Sequence, residues 1–153
     1  MHMASNDYLT EQGQAEMVWI GRDAERLRLS GNVEKEEFQR LREGKHTVSV
    51  ERLGVRERGP VKRVCYFGQI SAPKDVSIAY LVGGDERIGA WWEEAVADMV
   101  KEIEAVTATR LRKGGVDDKD RLTGSMVAAQ VTHEASRALD PQLHTHVCIM
   151  NIT

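Results

Sequence analysis

His133-Glu-Ala-Ser-Arg-Ala-Leu-Asp-Pro-Gln-Leu-His144-Thr-His146-Val-Cys-Ile-Met-Asn-Ile-Thr153 holds three of the five histidines of the chain. His144 and His146 are two residues apart, so on a strand both side chains leave from the same face, which Cys148 shares. His133 ends a separate β-like run over 124–133, and Asp140-Pro141 between the runs is a turn signal. If the two runs pair as antiparallel neighbours, three imidazoles converge. Three neutral imidazoles with a fourth position open make a catalytic rather than a structural metal site. Burying such rings without partners would cost roughly 1–3 kcal/mol per unsatisfied polar group, a cost that a bound cation removes. Asp140, Glu134 and Gln142 are placed to hold an imidazole N–H. All-nitrogen ligation suits Zn²⁺, Mn²⁺ or Co²⁺. Spacing alone leaves open whether the metal polarises a phosphoryl oxygen or acidifies a bound water.

The rest of the chain sets bounds. At 153 residues, 41% hydrophobic and 29% charged, it fits one globular domain with its own core. No apolar run reaches eighteen residues and the start has no signal-peptide core, so no membrane insertion is expected. Cys65 and Cys148 are isolated from one another in sequence, which points to a reduced, cytoplasmic setting rather than a disulfide framework. Residues 1–5, Met-His-Met-Ala-Ser, resemble a cloning remnant and are set aside. Residues 148–153 are still strand-like, so residues 6–153 are read as part of a longer protein. The net charge of −3 argues weakly against nucleic acid. Its distribution is more telling: Arg52, Arg56, Arg58, Lys62 and Arg63 form one basic cluster, and Arg110, Arg112 and Lys113 another at an expected helix end. A phosphate-binding surface and solvated helix faces explain these equally well.

Local signals predict the order helix, helix, strand, helix, helix, strand, strand. Residues 23–29 read as a short helix. Asn32 is the expected cap of a helix through Arg42 with Phe38 and Leu41 inward. Residues 45–60 read as a charged connection and 61–70 as a strand. Ser71 is the expected cap, and Pro73 the first turn, of a helix whose apolar side is Val76, Ala79, Tyr80 and Val82. Ile88, Trp91, Trp92, Ala95, Met99, Ile103 and Val106 recur at helical steps and predict a long helix to about Arg112, stopped by Gly114-Gly115. Strands near 123–133 and 143–152 follow a turn at 117–121. Helices in the middle and adjacent strands at the end favour an α+β domain, an antiparallel sheet covered by helices. His2 and His46 are read as ordinary surface or core residues.

These residues also carry a resemblance. His133-Glu-Ala-Ser-Arg137 followed by Asp140-Pro-Gln-Leu-His-Thr-His146 resembles the three-histidine motif of conjugative relaxases of the TrwC/TraI (MobF) type, in the HUH endonuclease superfamily. Ser71-Ala-Pro-Lys-Asp-Val-Ser77 resembles that family's Ser-Ala-Pro-Lys segment. Ala24-Glu-Arg-Leu-Arg-Leu-Ser-Gly31 resembles the stretch after its N-terminal tyrosines. The resemblance implies a five-stranded antiparallel palm, ferredoxin-like and flanked by helices, with residues 6–153 as the N-terminal portion of a relaxase domain truncated at its C-terminus. It implies nicking of one strand at an origin of transfer through a covalent 5′-phosphotyrosine. His133, His144 and His146 would hold a divalent cation, Mg²⁺ or Mn²⁺ in use, with Zn²⁺, Co²⁺ or Ni²⁺ as alternatives. The implied partners are single-stranded origin-of-transfer DNA, other conjugation proteins and a helicase domain downstream.

The chain departs from the family at two points. The family's tyrosines often come as two pairs, whereas Tyr8 is the only tyrosine before Tyr66. Tyr8 is therefore the candidate nucleophile. The family's aspartate on the strand before Ser-Ala-Pro-Lys has no counterpart, because Cys65-Tyr-Phe-Gly-Gln-Ile70 contains no carboxylate. Lys74 and Arg137 are candidate phosphate contacts. Trp91 and Trp92 are candidates to stack on bases, although their spacing puts at least one in the core. Tyr66 and Tyr80 are expected to pack in the core. Two other readings compete: a metal- and single-strand-binding fragment that does not cleave, and a three-histidine zinc hydrolase or lyase.

Overall fold

The structure, a computed structural model, describes residues 16–49, 51–53, 64–109, 112–113, 116–117 and 121–152. Its centre is a four-stranded antiparallel sheet in the order β1-β7-β8-β2, made of β1 (Val18–Ile20), β7 (Ala128–Ala135), β8 (Pro141–Met150) and β2 (Cys65–Ser71). Among the described residues four helices accompany it: α1 (Arg22–Arg26), α2 (Lys35–Arg42), α3 (Lys74–Leu81) and α4 (Arg87–Ala105). Between α4 and β7 the chain makes two short pairings, β3 (Ala108–Thr109) with β6 (Arg121–Leu122) and β4 (Arg112–Lys113) with β5 (Val116–Asp117). This is the expected α+β class, with four strands in the main sheet among the described residues rather than the five that the resemblance implies. No helix among the described residues is long and apolar enough to cross a membrane.

Strand periodicity explains the two layers. Odd residues of β7 and even residues of β8 share one face. There Ala129, Val131, Cys148 and Met150 pack with Trp19, Ala24, Leu29, Phe38 and Leu41 from β1, α1 and α2. The other face puts Ala128 and Val147 against Val96 and Val100 of α4. β8 is covered on both sides, so residues 143–148 are all buried, which is why its sequence is a continuous mixed run rather than an alternation.

Polar side chains fasten the layers. Glu104 is buried near the end of α4, and its Oε1 accepts the backbone N–H groups of Arg22 (2.8 Å) and Met126 (3.0 Å). Gly21 lies close by at φ +97°, where a Cβ would stand 2.3 Å from the Met126 carbonyl oxygen; no other residue fits there. The fully buried Ser77 hydroxyl donates to Pro73 O (3.2 Å) and accepts Leu143 N–H (3.0 Å), pinning α3 to β8. Behind β8, Trp92 Nε1 donates to Thr145 Oγ1 (3.1 Å), which also bonds Thr132 Oγ1 (2.8 Å).

Several local expectations are corrected. Asn32 does not cap α2. It bridges to Val18, its amide donates to Glu16, and Glu34 precedes the helix. Ser71 remains in β2, because the ladder to β8 runs unbroken from Cys65↔Met150 to Ser71↔His144, so Pro73 rather than Ser71 borders α3. The inward residue of α3 is Ser77, while Ile78 and Val82 are exposed. On α4 the inner stripe is Trp92, Val96, Val100 and Glu104, leaving Trp91, Met99 and Val106 exposed. The compact valines let the helix lie close to the sheet. The helix ends at Ala105, where the Thr107 hydroxyl caps Ile103 O and the β-branched residues that follow turn to strand. Arg112 and Lys113 thus lie in a hairpin and not at a helix end. The two runs expected near 123–133 and 143–152 are shifted to Ala128–Ala135 and Pro141–Met150, and β1 was not foreseen. Of the connection expected over 45–60, residues 45–49 and 51–53 form a turn in which Arg40 donates to His46 O and Ser49 O, while Arg56, Arg58, Lys62, Arg63 and Arg110 of the two basic clusters lie outside the described residues.

Candidate metal centre

The β7–β8 register sets His133 directly opposite His144 and Val131 opposite His146, with a bulge between His133 and Ala135. The three histidines therefore occupy one face at the end of the sheet. Their ring centroids are 5.3 Å (133–144), 5.3 Å (133–146) and 4.9 Å (144–146) apart. Rings donating to one cation at about 2.1 Å stand about 4.5 Å apart at octahedral angles and about 5.2 Å at tetrahedral ones. The observed separations lie near the tetrahedral end of this range. Among the described residues no group of three or more His, Cys, Asp or Glu side chains is set, as it stands, to hold a metal ion; the three rings are near one another without forming a closed ligand shell.

Electrostatics prepares the rings for a cation. All three are buried. Burial pushes the His146 imidazole down to about 4, with the fields of His144, His133 and Arg137 adding to it. Burial, then His144, also lowers His133 below the ordinary imidazole range. Both rings are neutral at pH 7, the form that binds metal. His144 Nδ1 stands 2.9 Å from the Gln142 carbonyl oxygen. A carbonyl only accepts, so Nδ1 carries the proton and Nε2 keeps its lone pair. The backbone of Gln142, rather than a side chain of the connecting loop, thus orients the ligand. Glu134 points elsewhere and accepts from Tyr80 OH at 3.4 Å.

The loop 136–140 is organised by Ser136, whose hydroxyl accepts the N–H groups of Ala138 and Asp140 (both 3.2 Å). Beside His144 it leaves an open pocket of about 340 Å³ lined by Gln69, Ala135, Ser136, Arg137, Ala138 and Gln142. Arg137 is exposed on its wall. Lys74 is also exposed, and its Nζ donates to Pro141 O at 2.8 Å, so it ties α3 to the start of β8. Gln69 is the residue that sequence reasoning missed. It pairs across from His146 on the histidine face and donates Nε2 to Ser71 Oγ at 2.8 Å.

Other candidates separate. Trp92 is half-buried against the sheet, while Trp91 is exposed with the Arg87 guanidinium 5.7 Å from its ring centre. Tyr66 is exposed and Tyr80 only half-buried, so neither belongs to the core. His46 serves a local turn, where Nδ1 accepts from Val48 and Ser49 N–H. Tyr8 and His2 lie outside the described residues.

Comparison with known proteins agrees with this arrangement. The family model for the TrwC relaxase matches residues 1–153. The multifunctional conjugation protein TraI of Escherichia coli is 38% identical over 135 residues, 88% of this chain and 8% of that protein. The conjugative relaxase TrwC in complex with oriT DNA, in a metal-bound structure, superposes with a TM-score of 0.85 at 33% identity, over 96% of this chain and 52% of that one. Its copper-bound structure superposes at 0.82 and 36% identity, over 97% and 50%. The chain spans about half the length of these solved relatives and a small fraction of the curated one. By family model, sequence and fold together, the chain belongs to the TrwC relaxase family.

Proposed function

We propose that this chain is the N-terminal portion, residues 6–153, of a conjugative relaxase that nicks one DNA strand at an origin of transfer. The observation that carries the reading is the convergence of three buried imidazoles beside an open, arginine-walled pocket, in a member of a family whose solved relative binds oriT DNA and metal. His133, His144 and His146 would hold a divalent cation, Mg²⁺ or Mn²⁺ in use, which when bound draws charge from the non-bridging oxygens of the scissile phosphate. Arg137 offers a planar fork of donors to the same phosphate. Lys74 spends one N–H on Pro141 O and keeps two for the DNA backbone.

Tyr8 is the proposed nucleophile. Its hydroxyl oxygen bonds to phosphorus as the bond to the 3′ oxygen breaks. The proton the tyrosine hydroxyl gives up passes through solvent to the 3′ oxygen, which leaves as a hydroxyl, and the 5′ end stays on the tyrosine. Such transfer demands positioning and charge stabilisation more than strong acid–base help. That suits a site in which β2 carries no carboxylate and the side chain it sets opposite His146, Gln69, is an amide that accepts no proton. The covalent ester conserves the bond for later rejoining. The relatives' greater length fits a cytoplasmic protein with further activities, a helicase among them, working with other conjugation proteins.

The test is a covalent adduct with a single-stranded origin-of-transfer oligonucleotide in Mn²⁺ or Mg²⁺, seen as a mobility shift that survives denaturation. It is expected to vanish in Tyr8→Phe and in His144→Ala. Salt-dependent binding without any adduct, by folded and metal-loaded protein, would replace this reading with the non-cleaving one that the missing carboxylate favours.

A further inference from the structure

We propose that Cys65, Cys148 and Met150 form a soft-metal site for Cu(I), separate from the three-histidine centre. Cys65 on β2 lies directly opposite Met150 on β8, and Cys148 is two residues before Met150 on the same strand. All three side chains therefore project from one face. They share one apolar cluster, Cys148 and Met150 fully buried and Cys65 partly so. Both cysteines are free thiols and hydrogen-bond to one another.

Two thiolates and a thioether are the ligand set that selects Cu(I) over the divalent ions that imidazole and oxygen prefer. The metal replaces the thiol protons, which go to the buffer, and no electron is transferred. Thiols in hydrogen-bond contact leave room for a bridging ion. A disulfide would need the sulfurs to close to about 2.05 Å. The half-buried Cys65 gives access from solvent, and the ion would sit about 7 Å along β8 from His146.

The experiment is anaerobic competition of the reduced full chain with a chromogenic Cu(I) chelator such as bicinchoninate. One equivalent of Cu(I) should move from chelator to protein. Cys65→Ser and Met150→Leu should each weaken retention at least tenfold, and Cys148→Ala should abolish it. A variant with all three histidines changed to alanine should retain the ion, and Mn²⁺ binding, which reports the histidine centre, should be unchanged in Cys65→Ser. Circular dichroism confirms that each variant is folded, and Cys65→Ser, at the most accessible position, remains informative if Cys148→Ala is not. Failure of the wild-type chain to compete would overturn the proposal. So would retention that disappears with the histidines and survives in Cys65→Ser, or conversion to a disulfide (a loss of two hydrogens by mass) on adding copper.

Discussion

The depressed basicity of the histidine centre predicts a specific pH dependence of folding without metal. His146 falls from 6.5 to about 4 on folding. The unfolded chain thus takes up a proton near pH 6.5 that the folded chain refuses until about pH 4. The stability tied to this ring is fully present above pH 6.5, drains away as pH falls toward 4, and is level below. The whole difference corresponds to about 3 kcal/mol. The pocket is open beside the rings, and solvent there screens the field, so about half of that is expected. His146→Gln removes the titration. His133 owes its own lowering to burial and to His144, so its contribution cancels in the difference between wild type and variant. The assay is urea denaturation of chelator-treated protein at intervals from pH 4 to 7.5. The stability of wild type minus variant should rise by about 1.5 kcal/mol across pH 4 to 6.5 and stay flat above. Curves that run parallel through this interval would refute the idea that the fold holds His146 neutral.

Three further outcomes follow from the fastenings. Glu104→Ala leaves two buried backbone N–H groups without an acceptor and should cost about 3 kcal/mol in urea denaturation, with Glu104→Gln retaining part of it. Ser77→Ala orphans Leu143 N–H immediately before His144; it should cost about 1–2 kcal/mol and weaken Mn²⁺ binding measured by paramagnetic resonance. Leu139 is exposed at φ 63° in the loop beside the pocket, so Leu139→Asn should stabilise the chain by up to about 1 kcal/mol in thermal denaturation.

The site was more legible than the scaffold. Spacing of two between His144 and His146 is read directly as one strand face, and Asp140-Pro141 announces a turn that returns the chain toward His133. Those are short-range rules, and they held. The failures were decisions made at long range. Thr107 ends α4 where apolar periodicity ran on to Val106. Trp91 and Met99 carry the helical spacing of a core yet face outward, because Val96 and Val100 set which side meets the sheet. Ser71 looks like a cap, but seven residues of pairing with β8 keep it extended. Gln69 drew no notice because an amide in a strand carries no local signal; only the register beside His146 gives it a place at the site. The thiol pair was equally hidden, since 82 intervening residues separate two side chains that meet only through pairing.

Behind the histidines, Thr132, Thr145 and the Trp92 indole are bonded in a row that clamps α4 to the two central strands. Every group in that row is uncharged, as are the His133 and His146 rings in front of it at neutral pH. An arriving divalent ion would therefore bring its charge to an end of the molecule where neither this row nor these two rings carries any. A polyanion approaching this end would sense that change of field.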